Sequence, residues 1–154
     1  MIMNASLNAK TGDNFAIVDV GSFSQLDQYT FTAKGTPLKA KGKVFLKEAL
    51  GLTSAEISFN KLPCGVSIPF YHKHRLNEEI YLFIGGKGEF QVDGEIFPVA
   101  EGTVVRVNPE GERCFRNTSE TEDLSWIVIQ SRKDSLPDQT IEDGFMVDKK
   151  VSWG

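Results

Sequence analysis

The sequence has very few of the residues on which most nucleophilic and acid–base enzymes depend. Its 154 residues include two histidines and two cysteines. A catalytic Ser–His or Cys–His pair would therefore have to use one of those two histidines. The sequence also has no GxSxG motif, and no glycine-rich loop followed by Lys-Ser or Lys-Thr for holding nucleotide phosphates. These absences argue against the common hydrolase and nucleotide-binding classes.

Concentrated positive charge and long apolar runs are lacking as well. The chain has 17 Lys and Arg against 21 Asp and Glu, a net charge of -4 without a basic patch, so no nucleic-acid partner is predicted. No apolar run approaches the length of a membrane span, so no membrane partner is predicted. Residues 1–8 lack the basic and apolar regions of a signal peptide. We therefore predict a cytoplasmic protein in which Cys64 and Cys114 are free thiols.

Closely spaced strands with glycine turns dominate the middle of the chain. The sequence Asp93-Gly94 is typical of a tight hairpin turn, and it separates two alternating runs at residues 89–92 and 95–99. Similar alternation occurs at residues 55–60, 103–107 and 124–130. Together with a length typical of one domain, this pattern predicts an all-β sandwich or barrel whose core is residues 55–131.

The two ends of the chain are predicted to flank this core within a single domain of residues 1–154. The N-terminal extension, residues 1–54, is expected to contain short strands at residues 14–20 and 29–32. It should also contain a helical turn at residues 22–29, capped by Ser22, and a short helix at residues 43–50 that ends at Gly51. The C-terminal tail, residues 132–154, is polar and is expected to hold one further strand at residues 145–147.

Both histidines of the chain occur at one place, as His72-Lys73-His74. Residues two apart on a strand point to the same face, so the two imidazoles lie side by side. Glu78 and Glu79 follow, and because adjacent strand residues face opposite sides, only one of them can share the imidazole face. Two imidazoles and one carboxylate form a three-ligand set suited to a divalent metal ion such as zinc, iron, manganese or nickel.

The wider pattern around these residues resembles the two conserved motifs of the cupin superfamily, and is similar to small single-domain bacterial cupins. The resemblance implies a double-stranded β-helix, or jelly-roll, barrel with a metal ligand set facing inward. It favours Glu79 over Glu78 as the third ligand. Residues that match the first motif are Gly65, His72, His74, Glu79 and Gly86, and residues that match the second are Gly102, Pro109, Gly111 and Asn117.

The second motif lacks the histidine that the family pattern would place there. Counting forward from Gly111 puts Cys114 at that position, whereas counting back from Asn117 puts Arg113 there. An inward Cys114 would add a thiolate ligand and favour zinc or iron. An inward Arg113 would weaken metal binding by charge repulsion or would bind an anionic substrate. We favour the Arg113 frame, which also turns Phe115 inward.

Strand parity identifies the side chains expected to line the pocket, and the surface expected to contact a partner. Tyr81 and Phe83 share the parity of Glu79, so we expect them to line the pocket with Phe115. Residues 80–84 are apolar on both faces of a strand. Either the N-terminal extension or a second subunit must cover the outer face, and we favour a homodimer.

Two functions fit these features. The first is a small metal-dependent enzyme, an isomerase acting on a sugar or a dioxygenase, whose ion keeps positions open for the substrate. The second is a non-catalytic module or sensor that binds a sugar or an organic anion beside a degraded metal site. Retention of His72, His74 and Glu79 favours the enzyme, and loss of the third histidine favours the binding module.

Overall fold

The fold is known from a computed structural model, which describes residues 6–154. Residues 1–5 lie outside the described residues. They belong to the predicted N-terminal extension and to residues 1–8, which were predicted not to be a signal peptide. Within residues 6–154 the elements are, in chain order, β1 (Lys10–Thr11), β2 (Ala16–Ile17), a 3₁₀ helix (Phe23–Gln28), β3 (Thr30–Thr32), β4 (Lys39–Lys41), β5 (Lys43–Phe45), α1 (Lys47–Leu50), β6 (Glu56–Leu62), β7 (Asn77–Gly85), β8 (Lys87–Val92), β9 (Glu95–Ala100), β10 (Val104–Val107), β11 (Arg113–Asn117) and β12 (Leu124–Arg132).

Two antiparallel sheets form the body of the molecule. The larger has five strands in the order β10-β7-β12-β6-β5, and the smaller has three in the order β11-β8-β9. Their inner faces enclose one apolar core to which both sheets contribute. This arrangement confirms the predicted all-β jelly roll. The buried side chains of the core are Leu62, Tyr81, Phe83, Phe90, Val99, Val107, Phe115, Leu124, Trp126 and Val128.

The hairpin predicted at Asp93-Gly94 joins β8 to β9. Both turn residues have positive φ, 51° at Asp93 and 87° at Gly94, as a two-residue type I′ turn requires. Val92 and Glu95 are paired directly on either side of the turn. The turn therefore sets the register of the hairpin, and that register places Phe90 in the core.

The N-terminal extension follows the prediction in part. A 3₁₀ helix begins after Ser22, whose hydroxyl accepts the backbone N–H of Ser24. The strand predicted at residues 14–20 is reduced to the two residues of β2. The helix predicted at residues 43–50 is wrong in its first half, because residues 43–45 form β5 and pair with β6. Only Lys47–Leu50 is helical, and it ends at Gly51 as predicted.

The reason for the wrong helix lies in the tertiary structure. Val44 and Phe45 are β-branched and aromatic, types that fit a sheet surface, and the edge of β6 offers them a ladder of hydrogen bonds. Burial of Val44 in a second apolar cluster adds to that preference. This cluster lies on the outer side of β5 and β6, and its buried members are Val20, Leu26, Tyr29, Val44 and Leu46.

The second cluster does not cover the whole outer face of the larger sheet. Ile57 and Phe59 of β6 pack against it. Farther across the sheet, Ile84 remains 38% exposed and Val104 60% exposed. The outer face around β7 and β10 is therefore an apolar surface that the described part of the N-terminal extension leaves open.

The C-terminal tail lies on the surface. The strand predicted at residues 145–147 is wrong, since these residues are irregular and exposed. No neighbouring strand within residues 6–154 offers them hydrogen-bond partners, and a strand without a partner is not stable in water. None of the helices in residues 6–154 has the length and apolar character needed to cross a membrane.

Candidate metal centre

The loop that carries both histidines is joined to the second motif by backbone hydrogen bonds. His72 and Arg113 exchange two of them, of 3.2 Å and 3.1 Å. The backbone N–H of His74 donates to the carbonyl of Pro109 over 3.0 Å. The two imidazoles are thereby held over the inner face of the barrel, beside β7.

The two imidazoles and Glu79 converge on one point. His72 Nε2 lies 3.1 Å and His74 Nε2 lies 3.0 Å from the same atom, Glu79 Oε1. The three candidate donor atoms lie within 4.8 Å of one another. Two ligand atoms bound at about 2.1 Å and at right angles to each other are about 3.0 Å apart. The separations from Glu79 to each imidazole therefore match neighbouring positions around a single ion.

Glu78 is separated from this group by strand alternation. Its side chain lies near Arg106, with 3.9 Å between the carboxylate oxygen and the guanidinium nitrogen. Glu79 is buried, and on the opposite side of β7. Of the two glutamates, the structure thus brings only Glu79 to the histidines.

The environment of Glu79 keeps its carboxylate ionised. Burial by itself would raise the pKa of Glu79. The hydrogen bonds from His72 and Tyr81, together with the charges of His74 and His72, outweigh burial and lower that pKa to about 2. An ionised carboxylate is the form that a metal ion binds.

Tyr81 is held in its protonated form by the same contact. Its hydroxyl donates to Glu79 Oε1 over 2.7 Å, and the residue is 2% exposed. Burial raises the pKa of Tyr81 well above its usual value, and the charge and hydrogen bond of Glu79 raise it further. The phenol therefore acts as a fixed hydrogen-bond donor that orients the carboxylate.

Arg113 occupies the side of the site where the family pattern has a histidine. Its side chain is fully buried, and Nη2 lies 3.3 Å from Glu79 Oε1. Nη1 donates to the carbonyls of Gly111 and His72, over 2.8 Å and 3.4 Å. Arg113 is therefore a fixed positive charge beside the carboxylate. Because its side chain is shielded from solvent, it is a poor candidate for the direct anion clamp that the sequence suggested.

Cys114 lies on the other face of β11. Its Sγ donates to the carbonyl of Ile68 over 3.0 Å. Its neighbours in the groove on the outside of the smaller sheet include Gln91 and Arg116. Pairing explains this orientation, since Arg113 is opposite Val92 and Phe115 is opposite Phe90, both on the inner face. The structure therefore does not bring Cys114 into the ligand set as a thiolate.

The three aromatic residues predicted to line the pocket are all buried inside the barrel. Tyr81 and Phe115 have ring centroids 5.9 Å apart, and Phe115 stacks on Phe90 at 5.5 Å. Phe83 packs against Phe90 at 6.2 Å. Below Glu79, these rings fill the barrel and form the apolar bottom of the site.

Sequence analysis missed a polar group on the same inner face. Ser58 and Asn60 of β6 are buried, and Lys43 of β5 hydrogen-bonds to both. The available signal was the spacing of Ser58 and Asn60, which alternate with the apolar Ile57 and Phe59. Since the second apolar cluster covers Ile57 and Phe59, the polar residues are the ones that face inward.

The donor set fits a metal ion. His74 Nε2 is buried and, although 3.0 Å from Glu79 Oε1, it has no hydrogen-bond partner among the described residues. A buried nitrogen in that state needs a compensating contact, which a bound cation would provide. The three donors are two nitrogens and one oxygen, a combination typical of zinc, iron, manganese or nickel. Arg113 is the unfavourable element, since its charge repels a cation.

Comparison with known proteins agrees with this geometry. A family model described as Cupin domain matches residues 60–130. A crystal structure of a cupin protein from Bacteroides fragilis is 35% identical, with a TM-score of 0.65, and the match covers 76% of this chain and 93% of that one.

Two further structures belong to proteins described by an activity. A candidate sugar phosphate isomerase from Acidithiobacillus ferrooxidans is 28% identical, with a TM-score of 0.53, over 60% of this chain and 59% of that one. A sugar phosphate isomerase of the cupin superfamily from Silicibacter pomeroyi is 18% identical, with a TM-score of 0.53, over 58% of each chain, which shows the shared fold alone. No curated protein matches the chain.

Proposed function

Because the chain belongs to the cupin superfamily, we propose that it binds a divalent metal ion through His72, His74 and Glu79 and acts on a small molecule held beside that ion. One observation carries the proposal: two imidazole nitrogens converge on one carboxylate oxygen, at 3.1 Å and 3.0 Å. The unpartnered Nε2 of His74 supports it. With three protein ligands, positions remain for a substrate.

The favoured reaction is isomerisation of a sugar or a related small acid. Its support is the 28% identity to the candidate sugar phosphate isomerase from Acidithiobacillus ferrooxidans. When bound, a divalent ion would polarise a carbonyl or hydroxyl oxygen of the substrate. Glu79 would hold the ion, and Tyr81 would fix the carboxylate by its 2.7 Å hydrogen bond. The aromatic bottom of the site would exclude water from one side of the substrate.

Dioxygenase chemistry is the second reaction that the ligand types allow. Two histidines and one carboxylate are the donors of many non-haem iron oxygenases. The metal determines which reaction is possible, since oxygen chemistry needs a redox-active ion whereas isomerisation does not.

A non-catalytic binding module is the alternative function, and Arg113 favours it. The guanidinium lies 3.3 Å from Glu79 and is fully buried, so it balances the charge of the carboxylate when no metal is bound. A protein that only recognises a sugar or an organic anion could retain its pocket in that state. Such a protein would bind metal weakly.

We propose further that the protein is a homodimer in the cytoplasm, with residues 1–154 as one domain. The open apolar face around Ile84 and Val104 supports pairing with a second copy, because a symmetric dimer covers the same patch on both subunits. Cys64 and Cys114 are free thiols, which suits a reducing compartment.

The test of the metal site is elemental analysis of untagged protein. Wild-type protein should contain close to one equivalent of zinc, iron, manganese or nickel, and His74→Ala should lose it. Lys73→Ala is the matched control, because Lys73 lies between the two histidines but is exposed. Absence of metal in the wild type after reconstitution at neutral pH would reject the metalloenzyme and favour the binding module.

A further inference from the structure

The inner face of the barrel carries a second cation that the metal site does not use. Lys43 extends from β5 opposite Asn60. Its Nζ donates to Asn60 Oδ1 over 2.6 Å and to Ser58 Oγ over 3.4 Å. The same Nζ lies 4.7 Å from the ring centroid of Phe45. Three residues of β5 and β6 thus position the ammonium group of Lys43.

Strand register places this ammonium group on the same side of the barrel as the candidate metal centre. Asn60 is paired with Trp126 of β12, and Ser58 is paired with Val128, which in turn is paired with Tyr81 of β7. In reaching from Asn60 to Ser58, the Lys43 side chain therefore extends towards the row that contains Tyr81. Glu79 follows on that face of β7, and its charge acts on Lys43.

Lys43 has no charged partner to account for its position. No carboxylate among the described residues lies within ion-pair distance of its Nζ. Burial lowers the pKa of Lys43 to about 8, although the charges of Glu79 and Glu56 oppose that change. An unpaired cation in such a place reduces the stability of the fold, and groups of that kind are concentrated at binding sites.

The ammonium group of Lys43 also has one hydrogen that neither Asn60 nor Ser58 accepts. An ammonium group has three hydrogens, and Asn60 and Ser58 accept two of them. Lys43 is of intermediate exposure and is not fully enclosed by the fold. The indole Nε1 of Trp126, in the same row of the sheet, is buried without a hydrogen-bond partner. Two donors without full partners are therefore found on the inner face, on β5 and β12, the two strands that flank β6.

We propose that Lys43 is a ligand-binding residue, whose ammonium group binds the carboxylate or phosphate group of a small anionic ligand that also contacts the His72, His74 and Glu79 site. This role of Lys43 rests on the proposed function, and it makes the ligand of that site a small anion. Lys43 lies before residues 60–130, the part matched by the cupin family model. Anion recognition would thus come from the N-terminal extension of this chain.

The test is an NMR titration with inorganic phosphate and, separately, with acetate. Spectra of wild-type protein are recorded as purified and after removal of metal with EDTA. The indole N–H signal of Trp126 is the readout, and Trp153→Phe assigns it, because the chain has two tryptophans. Lys43→Met removes the charge, Lys43→Arg preserves it, and Lys41→Met is the control at an exposed lysine two residues away.

We expect at least one anion to shift the Trp126 signal to saturation. The affinity should fall by about tenfold or more in Lys43→Met, the loss of one charge-assisted hydrogen bond, and should change little in Lys43→Arg and Lys41→Met. The anion that binds more tightly identifies the ligand group as phosphate or carboxylate. Equal affinity in wild type and Lys43→Met, or no shift with either anion, would overturn the inference.

Metal content measured on the same samples separates this inference from the proposed function. Wild-type protein that binds metal, with unchanged anion affinity in Lys43→Met, rejects the role of Lys43 and leaves the metal site standing. Wild-type protein without metal, but with anion binding that depends on Lys43, rejects the metalloenzyme and supports Lys43 as the anion contact of a binding module.

Discussion

Tyr81 donates its hydroxyl hydrogen to Glu79, two residues before it on the same face of β7, over a distance of 2.7 Å. The contact therefore lies within a single strand and does not depend on the packing of one sheet against the other. It fixes the carboxylate oxygen towards which both imidazoles point. A ligand oriented in this way loses less conformational freedom when an ion binds.

The first prediction is that Tyr81→Phe weakens metal binding without abolishing it. Removal of the hydroxyl frees the Glu79 side chain to adopt other orientations, and loss of such a supporting hydrogen bond typically costs about 10- to 100-fold in metal affinity. The free energy of unfolding should fall by about 1 kcal/mol, the usual net value of one hydrogen bond. A competition titration against a chelating dye measures the affinity.

Tyr71→Phe serves as the matched control, because Tyr71 is 58% exposed and its hydroxyl contacts Gln91 outside the barrel. Its metal affinity should equal that of the wild type. Equal affinities in Tyr81→Phe and Tyr71→Phe would show that Glu79 is oriented without help from the phenol.

The second prediction is that Arg113→His increases metal affinity. The substitution removes a fully buried positive charge 3.3 Å from Glu79 and places an imidazole where the family pattern has its third histidine. We expect a gain of about tenfold or more, since a repulsive charge is replaced by a neutral ligand. Metal titration of the variant, with a urea unfolding curve to establish that it folds, makes the measurement.

Arg116→His is the control for this change. Arg116 lies on the outer face of β11, where it pairs with Glu89 over 2.5 Å, so its replacement adds a histidine away from the site. A weaker or unchanged affinity in a folded Arg113→His variant would mean that residue 113 does not point at the bound ion.

Local patterns predicted an all-β sandwich or barrel with both histidines on one face, and the resemblance to cupins added the jelly roll and the choice of Glu79 over Glu78. The spacing of His72 and His74 places them on one face of an extended chain, and strand parity allows only one of Glu78 and Glu79 to join them. Asp93-Gly94 determines a hairpin through its backbone conformation alone. None of these inferences needs information about distant parts of the chain.

The position of Lys43 beside Ser58 and Asn60 was beyond sequence analysis, because it depends on pairing between distant segments. Residues 43–50 have a pattern compatible with a helix, and only the free edge of β6 turns the first three into a strand. The frame at Arg113 and Cys114 likewise depends on which of them is opposite Val92 of β8. Long-range pairing of this kind decides which side of a strand is the inside.

The third prediction concerns the open apolar face of the larger sheet. Val104 is 60% exposed and is paired with Leu82, next to the 38% exposed Ile84. If a second copy covers this face, wild-type protein should have twice the chain mass of 17.1 kDa in light scattering. Val104→Lys should shift the protein to a monomer, since burying an unpaired charge costs several kcal/mol.

Ile96→Lys provides the control for surface charge. Ile96 is 56% exposed, but it lies on the smaller sheet, outside the proposed interface. This variant should remain a dimer. A monomeric wild type at micromolar concentrations would reject the homodimer, and dimers in both variants would place the interface elsewhere.

The fourth prediction is a pH dependence of stability that originates at Lys43. Burial lowers the pKa of Lys43 in the folded protein to about 8, below the value of 10.5 that applies to a lysine in the unfolded chain. Between these two values the unfolded chain binds more protons, so the contribution of Lys43 to the free energy of unfolding rises with pH in that interval. Below pH 8 both states carry the charge, and the full penalty of burying it is present.

Lys43→Met should remove this dependence. The stability of the variant relative to wild type should be greatest at or below pH 8 and should decline towards pH 10.5, by on the order of 1–3 kcal/mol. The difference in stability at pH 7 also contains the loss of the hydrogen bonds to Asn60 and Ser58. The quantity to test is therefore the change in that difference with pH. Urea unfolding of wild type, Lys43→Met and Lys41→Met at pH 7, 8, 9 and 10 measures it. A difference between Lys43→Met and wild type that stays constant over that range would show that Lys43 titrates as in the unfolded chain.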